Sequence, residues 1–457
     1  MAKRYLVVSD LHLCDVEDHA DGWKQYKSSA HLYDDQLAAL LDDFVAGGGE
    51  PTLVLNGDIF DFDLVAAVPD DPPFKVSRAE RRRGLDATAA KSAWKLERVL
   101  AHHPRFVAAL AGFLARGHEV VYVLGNHDRE LCFPEVRAAL ERALDGGAAP
   151  PPARRPIRVE EWFYYVPGEI YAEHGHQYDN YSSFRHLLAP VVEVGGERVL
   201  AVPMGNLSNR YLLSQMGFFN PHASDYILNL FRYVAHWLRH YAFSRRGIVL
   251  PWFLGSLTVM ATLLNLKRKL HATPPAQTAG LAATARRYGL PEATITALWG
   301  LHRPPITGRF FRIVREFWLD RLLMAVLMTS GTIALALVPI PLWIKLMVPL
   351  SSFPLVYFVY EWLVRGETVF SIERRLPGYA RRIAALLPVQ VVTFGHSHQP
   401  RLIPLDDAVS FVDTGTWAPI TQPLDSRALA PGYHNYLVVE PGAPRAAVTF
   451  ACWHRAG

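Results

Sequence analysis

The stretch Tyr5-Leu6-Val7-Val8-Ser9-Asp10-Leu11-His12, near the start of the chain, decides the fold. Its four apolar residues predict a buried first strand that ends at Ser9 and Asp10. A secretory signal peptide needs an apolar core of roughly 7–15 residues, which this run does not reach. We therefore expect a strand with chemically active side chains at its carboxyl end. We also expect a chain that begins in the cytoplasm without a signal peptide.

Two further short β-rich runs, at residues 52–56 and 119–124, each stop at a Gly, Asp or Asn. Residues 31–45 lie between the first two runs and carry apolar side chains at helical spacing. The order strand, helix, strand predicts an α/β fold with a parallel sheet covered by helices.

The end of the chain returns to the same kind of pattern. Pro167-Gly168, between two apolar runs, predicts a hairpin, and short strands are predicted at residues 389–394, 410–413, 435–439 and 447–452. An α/β core divided between both ends of the chain is therefore expected. We predict three segments: an N-terminal core part at 1–195, a helical insert at 196–368 and a C-terminal core part at 369–457.

The composition excludes several classes of protein. Of the 457 residues, 50% are hydrophobic and 20% are charged, which excludes a disordered chain. The net charge of +4 is too small to indicate a nucleic-acid partner. The three cysteines lie far apart without a CxxC pair, so neither a disulfide framework nor a thiolate zinc site is indicated.

Five short polar motifs occur in order, and most of them follow a predicted strand. They are Asp10-Leu11-His12, Gly57-Asp58-Ile59-Phe60-Asp61, Gly125-Asn126-His127-Asp128, His174-Gly175-His176 and Gly395-His396-Ser397-His398. Sites in open α/β sheets gather at the carboxyl ends of strands. Carboxylate, imidazole and amide donors without thiolate suit Mn, Fe or Zn. Each motif alone is weak, but the ordered set predicts a metal site in which Asp58 bridges two ions.

This order of motifs resembles the calcineurin-like metallophosphoesterase superfamily, whose pattern is D-x-H, G-D-x-x-D, G-N-H-[D/E], H and G-H-x-H. The resemblance covers roughly residues 1–190 and 370–457. It implies a four-layer α-β-β-α sandwich, interrupted here by a large, mainly helical apolar insert. It also implies two divalent metal ions (Mn, Fe or Zn, the identity left open). A hydroxide that bridges them would attack the phosphorus of a phosphoester or pyrophosphate.

Carried over by position, the resemblance implies two overlapping sets of metal ligands. One set is Asp10, His12, Asp58 and His398, and the other is Asp58, Asn126, His174 and His396.

Four further residues receive roles beside the metals. The resemblance implies that His127 donates a proton to the leaving oxygen or stabilises the phosphate, with Asp61 orienting its ring. Arg129 is a candidate substrate-binding residue because it follows this motif closely. His176 is a second such candidate, and it is also the alternative to His174 as a metal ligand.

A narrower resemblance is to the UDP-2,3-diacylglucosamine hydrolase branch. It is carried by residues 9–14, by the block from His174 to Asp179, and by Gly395-His396-Ser397-His398 with Gly415-Thr416-Trp417. Members of that branch cleave a pyrophosphate bond in a lipid A precursor at the membrane surface. The chain departs from the branch at His127, where the branch has Arg, and in its much longer insert. A lipid-linked phosphoester or pyrophosphate fits the apolar insert, and this is the substrate that we expect.

The insert contains three long apolar runs, at residues 248–266, 322–344 and 346–364. Each is near the roughly 20 residues that cross a bilayer. Residues 267–321 carry ten Lys and Arg against three acidic residues, which favours the cytoplasmic side. Because both ends of the chain build one site, an even number of crossings is required. We predict a hairpin at 322–364 that turns near Lys345, with 248–266 at the interface or packed on the hairpin. A monotopic cap and a soluble helical bundle are the alternatives.

The sequence therefore predicts a membrane-associated metallophosphoesterase with its catalytic core in the cytoplasm, acting on a phosphate-containing and lipid-linked substrate. Two alternatives stay open: a phosphodiesterase or nuclease that acts on nucleic acid, which the small net charge disfavours, and a non-catalytic metal-binding sensor. The sequence does not determine the oligomeric state.

Overall fold

A computed structural model describes residues 3–146, 154–222, 230–270, 273–364, 372–421, 429–430 and 433–453. The chain divides into two compact units, residues 1–305 with 372–457, and residues 306–371. The predicted segments 1–195, 196–368 and 369–457 remain a prediction, and residue 368 lies outside the described residues.

The strands are β1 (Lys3–Val8), β2 (Glu50–Asn56), β3 (Glu119–Val123), β4 (Arg158–Glu160), β5 (Phe163–Val166), β6 (Ile170–Glu173), β7 (Val191–Val194), β8 (Glu197–Leu200), β9 (Val391–Phe394), β10 (Arg401–Pro404), β11 (Ser410–Asp413), β12 (Ile420–Thr421), β13 (Leu429–Ala430), β14 (Asn435–Glu440) and β15 (Ala447–Cys452). The helices are α1 (Asp34–Ala46), α2 (Arg78–Arg83), α3 (Ala89–His102), α4 (Pro104–Ala115), α5 (Pro134–Leu144), α6 (Met204–Tyr211), α7 (Leu230–His240), α8 (Val249–Lys269), α9 (Pro275–Tyr288), α10 (Glu292–Trp299), α11 (Phe310–Glu316), α12 (Leu319–Leu337), α13 (Leu342–Leu363) and α14 (Leu376–Leu386).

The first sheet has six strands in the order β15-β14-β1-β2-β3-β4. Strands β1 to β4 run parallel, with Val7 opposite Val54 and Val54 opposite Val121. On the other side of β1, the C-terminal strand β14 pairs antiparallel, with Leu6 opposite Val438. Both ends of the chain therefore contribute to this sheet.

The second sheet has five strands in the order β10-β11-β9-β6-β5. Strand β6 pairs parallel with β9, so that Tyr171 lies opposite Val392. Strands β5 and β6 form the predicted hairpin, and Gly168 supplies the positive φ of 75° that its turn requires. The second sheet is likewise built from both ends of the chain.

The two sheets pack face to face through one buried apolar cluster. Val7, Val54 and Val121 come from the first sheet, and Ile170 and Val412 come from the second. Apolar side chains of this kind contribute most of the free energy that holds two sheets together.

Helices cover the outer faces of both sheets. Tyr122 of β3 stacks on Phe60, which packs against Phe106 of α4, and α14 packs against β9. The layers are helix, sheet, sheet and helix, so the predicted mixed α/β sandwich is confirmed.

The second unit, residues 306–371, is helical, and α12 and α13 pack against each other within it. The predicted turn near Lys345 is wrong. Helix α12 ends at Leu337, and α13 begins at Leu342. Pro339 and Pro341 lie between the two helices, where they lack the N–H that a continuing helix needs. Lys345 therefore lies in the first turn of α13.

We expect Ile170→Ala to lower the free energy of unfolding by about 2–5 kcal/mol, because Ile170 is fully buried between the sheets and its loss leaves a cavity. Leu402→Ala is the matched control, since that side chain is 45% exposed on β10 and its change is expected within about 0.5 kcal/mol. Urea unfolding in detergent measures both. Equal losses in the two variants would contradict the inter-sheet core.

Candidate metal centre

The five polar motifs meet at the carboxyl ends of five strands. Asp10 and His12 follow β1, Asp58 follows β2, and Asn126 follows β3. In the second sheet, His174 follows β6, and the pair His396 and His398 follows β9. Because the two sheets are packed together, these loops converge into one buried cluster of donor atoms.

The first group of donors is Asp10, His12 and His398, whose donor atoms lie within 4.8 Å of one another. Asp10 Oδ1 lies 3.2 Å from His398 Nε2 and 3.9 Å from His12 Nε2. The two imidazole Nε2 atoms are 3.1 Å apart. Residues almost four hundred positions apart in the chain thus come together at the spacing of ligands to one ion.

The second group is Asp58, His174 and His396, again with donor atoms within 4.8 Å of one another. His174 Nε2 lies 2.9 Å from Asp58 Oδ2. The other oxygen of Asp58 accepts a hydrogen bond of 2.8 Å from the backbone N–H of His127, which ties the Asn126 loop to this group. The structure therefore brings six of the seven predicted ligands into two groups of three, and the loop of the seventh, Asn126, adjoins the second group. A third group, His12, Asp61 and His127, also has its donor atoms within 4.8 Å of one another.

Each of the four histidines has one ring nitrogen held by an outer partner. The contacts are His12 Nδ1 to Asp61 Oδ2 at 3.2 Å, His174 Nδ1 to Asn56 O at 3.0 Å, His396 Nε2 to Asp179 Oδ2 at 3.2 Å and His398 Nδ1 to His222 O at 3.1 Å. A carboxylate or carbonyl partner of this kind is typical of metal-binding imidazoles, because it fixes the tautomer and aims the other nitrogen.

Among the predicted ligands, two buried polar atoms have no hydrogen-bond partner: Asn126 Oδ1 and His174 Nε2. Asp58 Oδ2 is close to His174 Nε2, but the arrangement lacks hydrogen-bond geometry. Leaving such an atom unsatisfied costs about 1–3 kcal/mol. A cation between these donors would satisfy both atoms, so the residues fit a bound metal.

The backbone at the cluster is strained. Five of the predicted ligands have φ between 48° and 68°, in the left-handed region: Asp10, His12, Asp58, His396 and His398. Such conformations cost of order 1–3 kcal/mol each and persist at functional sites. Gly125 and Gly395 allow the closest approaches, because a Cβ at either position would overlap the carboxylate of Asp58 or of Asp10, respectively.

His127 lies beside two carboxylates. Its Nδ1 is 3.3 Å from Asp61 Oδ1 and 3.1 Å from Asp63 Oδ2, both without hydrogen-bond geometry. Burial opposes protonation of the ring, but the charges of Asp61 and Asp58 outweigh it and raise the pKa of His127 well above its ordinary value. Asp61 also contacts His12, a link that the sequence did not indicate.

The surroundings of Arg129 indicate a role in holding the backbone. Its guanidinium is fully buried and donates to the backbone oxygens of Glu161 and Leu187. We therefore do not propose Arg129 as a substrate contact, because its terminal nitrogens are committed to holding the chain.

His176 is also buried, with its ring centroid 5.5 Å from that of His174. Burial lowers the pKa of His176 well below its ordinary value, so the ring is neutral. The geometry favours His174 over His176 as the ligand, because His174 belongs to the second donor group and His176 does not.

Helix α6 supplies residues that the sequence did not indicate. Asn206 donates to Asp63 Oδ2 at 2.6 Å and to the backbone oxygen of Asn126 at 2.9 Å. Its own Oδ1 accepts from Asn126 Nδ2 at 3.4 Å. Asn209 Nδ2 lies 3.4 Å from His127 Nε2. Neither asparagine belongs to a motif, so only the fold identifies them.

His222 is a further residue that the sequence left unmarked. Its ring centroid lies 4.1 Å from that of His12, and its backbone oxygen holds His398. Nothing in the spacing of His222 separates it from the other histidines of the insert.

A family model described as calcineurin-like phosphoesterase matches residues 3–193. The match includes the motifs from Asp10 to His174, while His396 and His398 lie beyond it and reach the cluster through β9. No curated protein matches the chain.

We expect Asn206→Ala to weaken manganese binding about 10–100-fold, because the amide of Asn126 loses the side chain that orients it. Titration calorimetry of the metal-stripped protein in detergent measures this. Asn209→Ala is the control, since Asn209 contacts His127 and no predicted ligand. Equal affinities in the Asn206→Ala variant and the unchanged protein would contradict the assignment of Asn126 as a ligand.

Proposed function

The chain carries a calcineurin-like phosphoesterase domain over residues 3–193, and from this premise we propose that it hydrolyses a phosphoester or pyrophosphate bond with two divalent metal ions. A domain of this family belongs to a metal-dependent hydrolase that acts on a phosphate-containing substrate. The finer proposals concern which residues hold the ions, what His127 does and where the substrate lies.

One observation carries the proposal: three groups of carboxylate and imidazole donors lie in one cluster, and two of them, Asp10/His12/His398 and Asp58/His174/His396, consist of predicted ligands. Asp10, His12 and His398 would hold one ion, and His174, His396 and Asn126 the other, with Asp58 shared. Paired ions lower the pKa of water and stabilise the charge that develops on the phosphoryl oxygens. The identity of the metal among Mn, Fe and Zn stays open.

The proton for the leaving oxygen would come from His127. Asp61 and Asp63 flank its Nδ1 and favour the charged ring, while Nε2 lies on the side of Asn209. A positioned acid of this kind contributes a factor of about 10²–10⁴ to the rate. Asp61 would orient both His127 and His12, because one carboxylate oxygen faces each ring.

We expect His127→Ala to lower kcat on a chromogenic phosphodiester with manganese by about 10²–10⁴-fold, with little loss of metal binding. Asp58→Asn should abolish turnover and weaken binding of both ions, because the shared carboxylate is lost. His19→Ala is the control, since His19 is exposed and contacts only Glu17 among the described residues. Unchanged rates in both site variants would remove the mechanism.

The proposed location is the cytoplasmic face of a membrane, with the second unit as its anchor. Helices α12 and α13 are long and apolar enough to cross a bilayer, and neither has a buried residue in the described structure. Leu337 and Leu342 are 82% and 69% exposed near the turn. In water this surface would be far larger than soluble proteins expose.

The charged and aromatic residues of the hairpin support a membrane-spanning position. Arg321 pairs with Glu361 at 2.7 Å and with Asp320 at 3.3 Å, and all three lie where the hairpin begins and ends. Trp318 and Trp362 lie at this end, and Trp343 lies near the turn, as expected of aromatic residues at the two membrane surfaces. A phosphate on a lipid would then lie on the same side as the catalytic core.

We expect the full chain to stay in the membrane pellet after an alkaline carbonate wash and to be released by detergent, because a spanning hairpin leaves lipid only when the bilayer dissolves. A variant in which a short Gly-Ser linker replaces residues 319–363 should move to the supernatant. Release of the unchanged chain by carbonate would exclude the spanning hairpin.

A further inference from the structure

Helix α8, the remaining long apolar helix, has two different faces. One face is buried within the first unit and consists of Gly255, Ser256, Val259, Leu263 and Leu266. It packs on α6 so closely that a Cβ at Gly255 would lie 2.7 Å from the backbone oxygen of Tyr211. Helix α6 in turn carries Asn206 and Asn209 to the metal centre. Helix α8 therefore forms an outer layer behind the wall of the site.

The other face of α8 is exposed and apolar. It consists of Val249, Leu250, Phe253, Leu254, Leu257 and Leu264, whose exposed fractions run from 37% to 67%. Their spacing places them on one side of the helix, so they form a continuous stripe along its length. We call these six residues the α8 stripe.

Exposed cations flank the α8 stripe at both ends. Arg245 precedes the helix, and Lys267, Arg268 and Lys269 end it, while the helix itself has no acidic residue. An apolar stripe with basic side chains at both ends complements the acyl and anionic headgroup layers of one membrane leaflet. It does not complement water or an acidic protein surface, which would leave the apolar part uncovered.

A crossing orientation conflicts with the contacts of α8. Arg83 of α2 donates to Thr258 Oγ1, close to the middle of the helix. If α8 crossed a bilayer, this arginine would lie near the bilayer centre, where a charge is costly. Helix α2 has the sequence RAERRR, which is incompatible with lipid on that side.

We propose that α8 lies in the plane of the membrane, with the α8 stripe inserted into an anionic leaflet, and that it holds the metal centre at the lipid–water interface through α6. Neighbouring helices pack with axes about 8–10 Å apart, so the site lies within about two helix layers of the lipid. The substrate class that follows is a phosphate carried by a lipid. This inference rests on the proposed phosphoesterase function.

The test measures the depth of spin labels in the full chain, reconstituted in vesicles of phosphatidylcholine with phosphatidylglycerol. Labels at Leu250→Cys, Leu257→Cys and Leu264→Cys sample the α8 stripe, in a background with Cys132→Ser and Cys452→Ser; Cys14 is buried. Collisions with oxygen and with a water-soluble nickel complex report the depth. Equal, shallow depths at all three positions are expected.

Three outcomes overturn the proposal. A depth difference of about 20 Å between positions 250 and 264, at 1.5 Å per residue, would mean that α8 crosses the bilayer. Full access to nickel at all three positions would mean that no lipid covers the stripe. Dipolar broadening between labels, without lipid contact, would mean that a second copy of the chain covers it.

Control labels at two other positions, and an activity assay, separate the depth of the α8 stripe from insertion of the hairpin and from catalysis. Glu135→Cys on the exposed side of α5 should stay in water, and Leu350→Cys on α13 should be deep if the hairpin is inserted. Hydrolysis of a soluble phosphodiester, measured on the same samples, tests the proposed function separately. A shallow stripe without turnover would reject the function, and turnover with a water-exposed stripe would reject this inference.

The contribution of the basic residues to membrane binding is tested with a triple variant, Lys267→Gln with Arg268→Gln and Lys269→Gln. We expect the label at position 264 to lose lipid contact on anionic vesicles and to change little on phosphatidylcholine alone. Equal contact on both kinds of vesicle, with and without the substitutions, would reject the anionic leaflet as the partner.

Discussion

The site depends on how Asp10 is held where three separate parts of the chain meet. Its backbone N–H donates to Gly57 O at 3.0 Å, and its carboxylate accepts from the N–H of His396 at 3.1 Å. Its backbone oxygen accepts from the N–H of Trp417 at 3.1 Å. Burial raises the pKa of the Asp10 carboxyl, but the charges of His174 and His398 outweigh it and lower the pKa below its ordinary value. If the C-terminal segment moved, the Asp10 carboxylate would lose its contacts with His396 and His398, and removing the partners of a buried charge is strongly destabilising.

The same constraint explains why the cluster contains so much strain. Five predicted ligands have left-handed conformations, and two buried polar atoms of the predicted ligands lack a hydrogen-bond partner. Both are tolerated only because the two packed sheets leave the loops little freedom. A bound cation would relieve part of this cost, so metal binding and folding are expected to be coupled. The rigid β-sandwich thus fixes where the loops begin, and the strained loops direct the donor atoms toward one another.

Helix α6 connects this centre to helix α8. Asn206 orients a predicted ligand, and Asn209 faces the proposed acid, while the back of the helix supports α8. Helix α6, which lies within the predicted insert, therefore contributes to the wall of the site. If α8 rests on lipid, the helix that contacts the membrane packs directly on the helix that shapes the centre, which links location to chemistry.

The sequence by itself determined the α/β core and the positions of the long apolar helices, and it predicted the seven ligands whose loops the fold brings together. These features rest on local periodicity and on motifs that directly follow strands, such as Asp10 after β1 and His174 after β6. Only the tertiary structure decided that Arg129 serves the backbone and that Asn206, Asn209 and His222 approach the site. It also decided that the hairpin turns at residues 338–341. The physical reason is that these features depend on contacts between residues distant in the chain or, at the turn, on which proline ends a helix, and local patterns do not specify either.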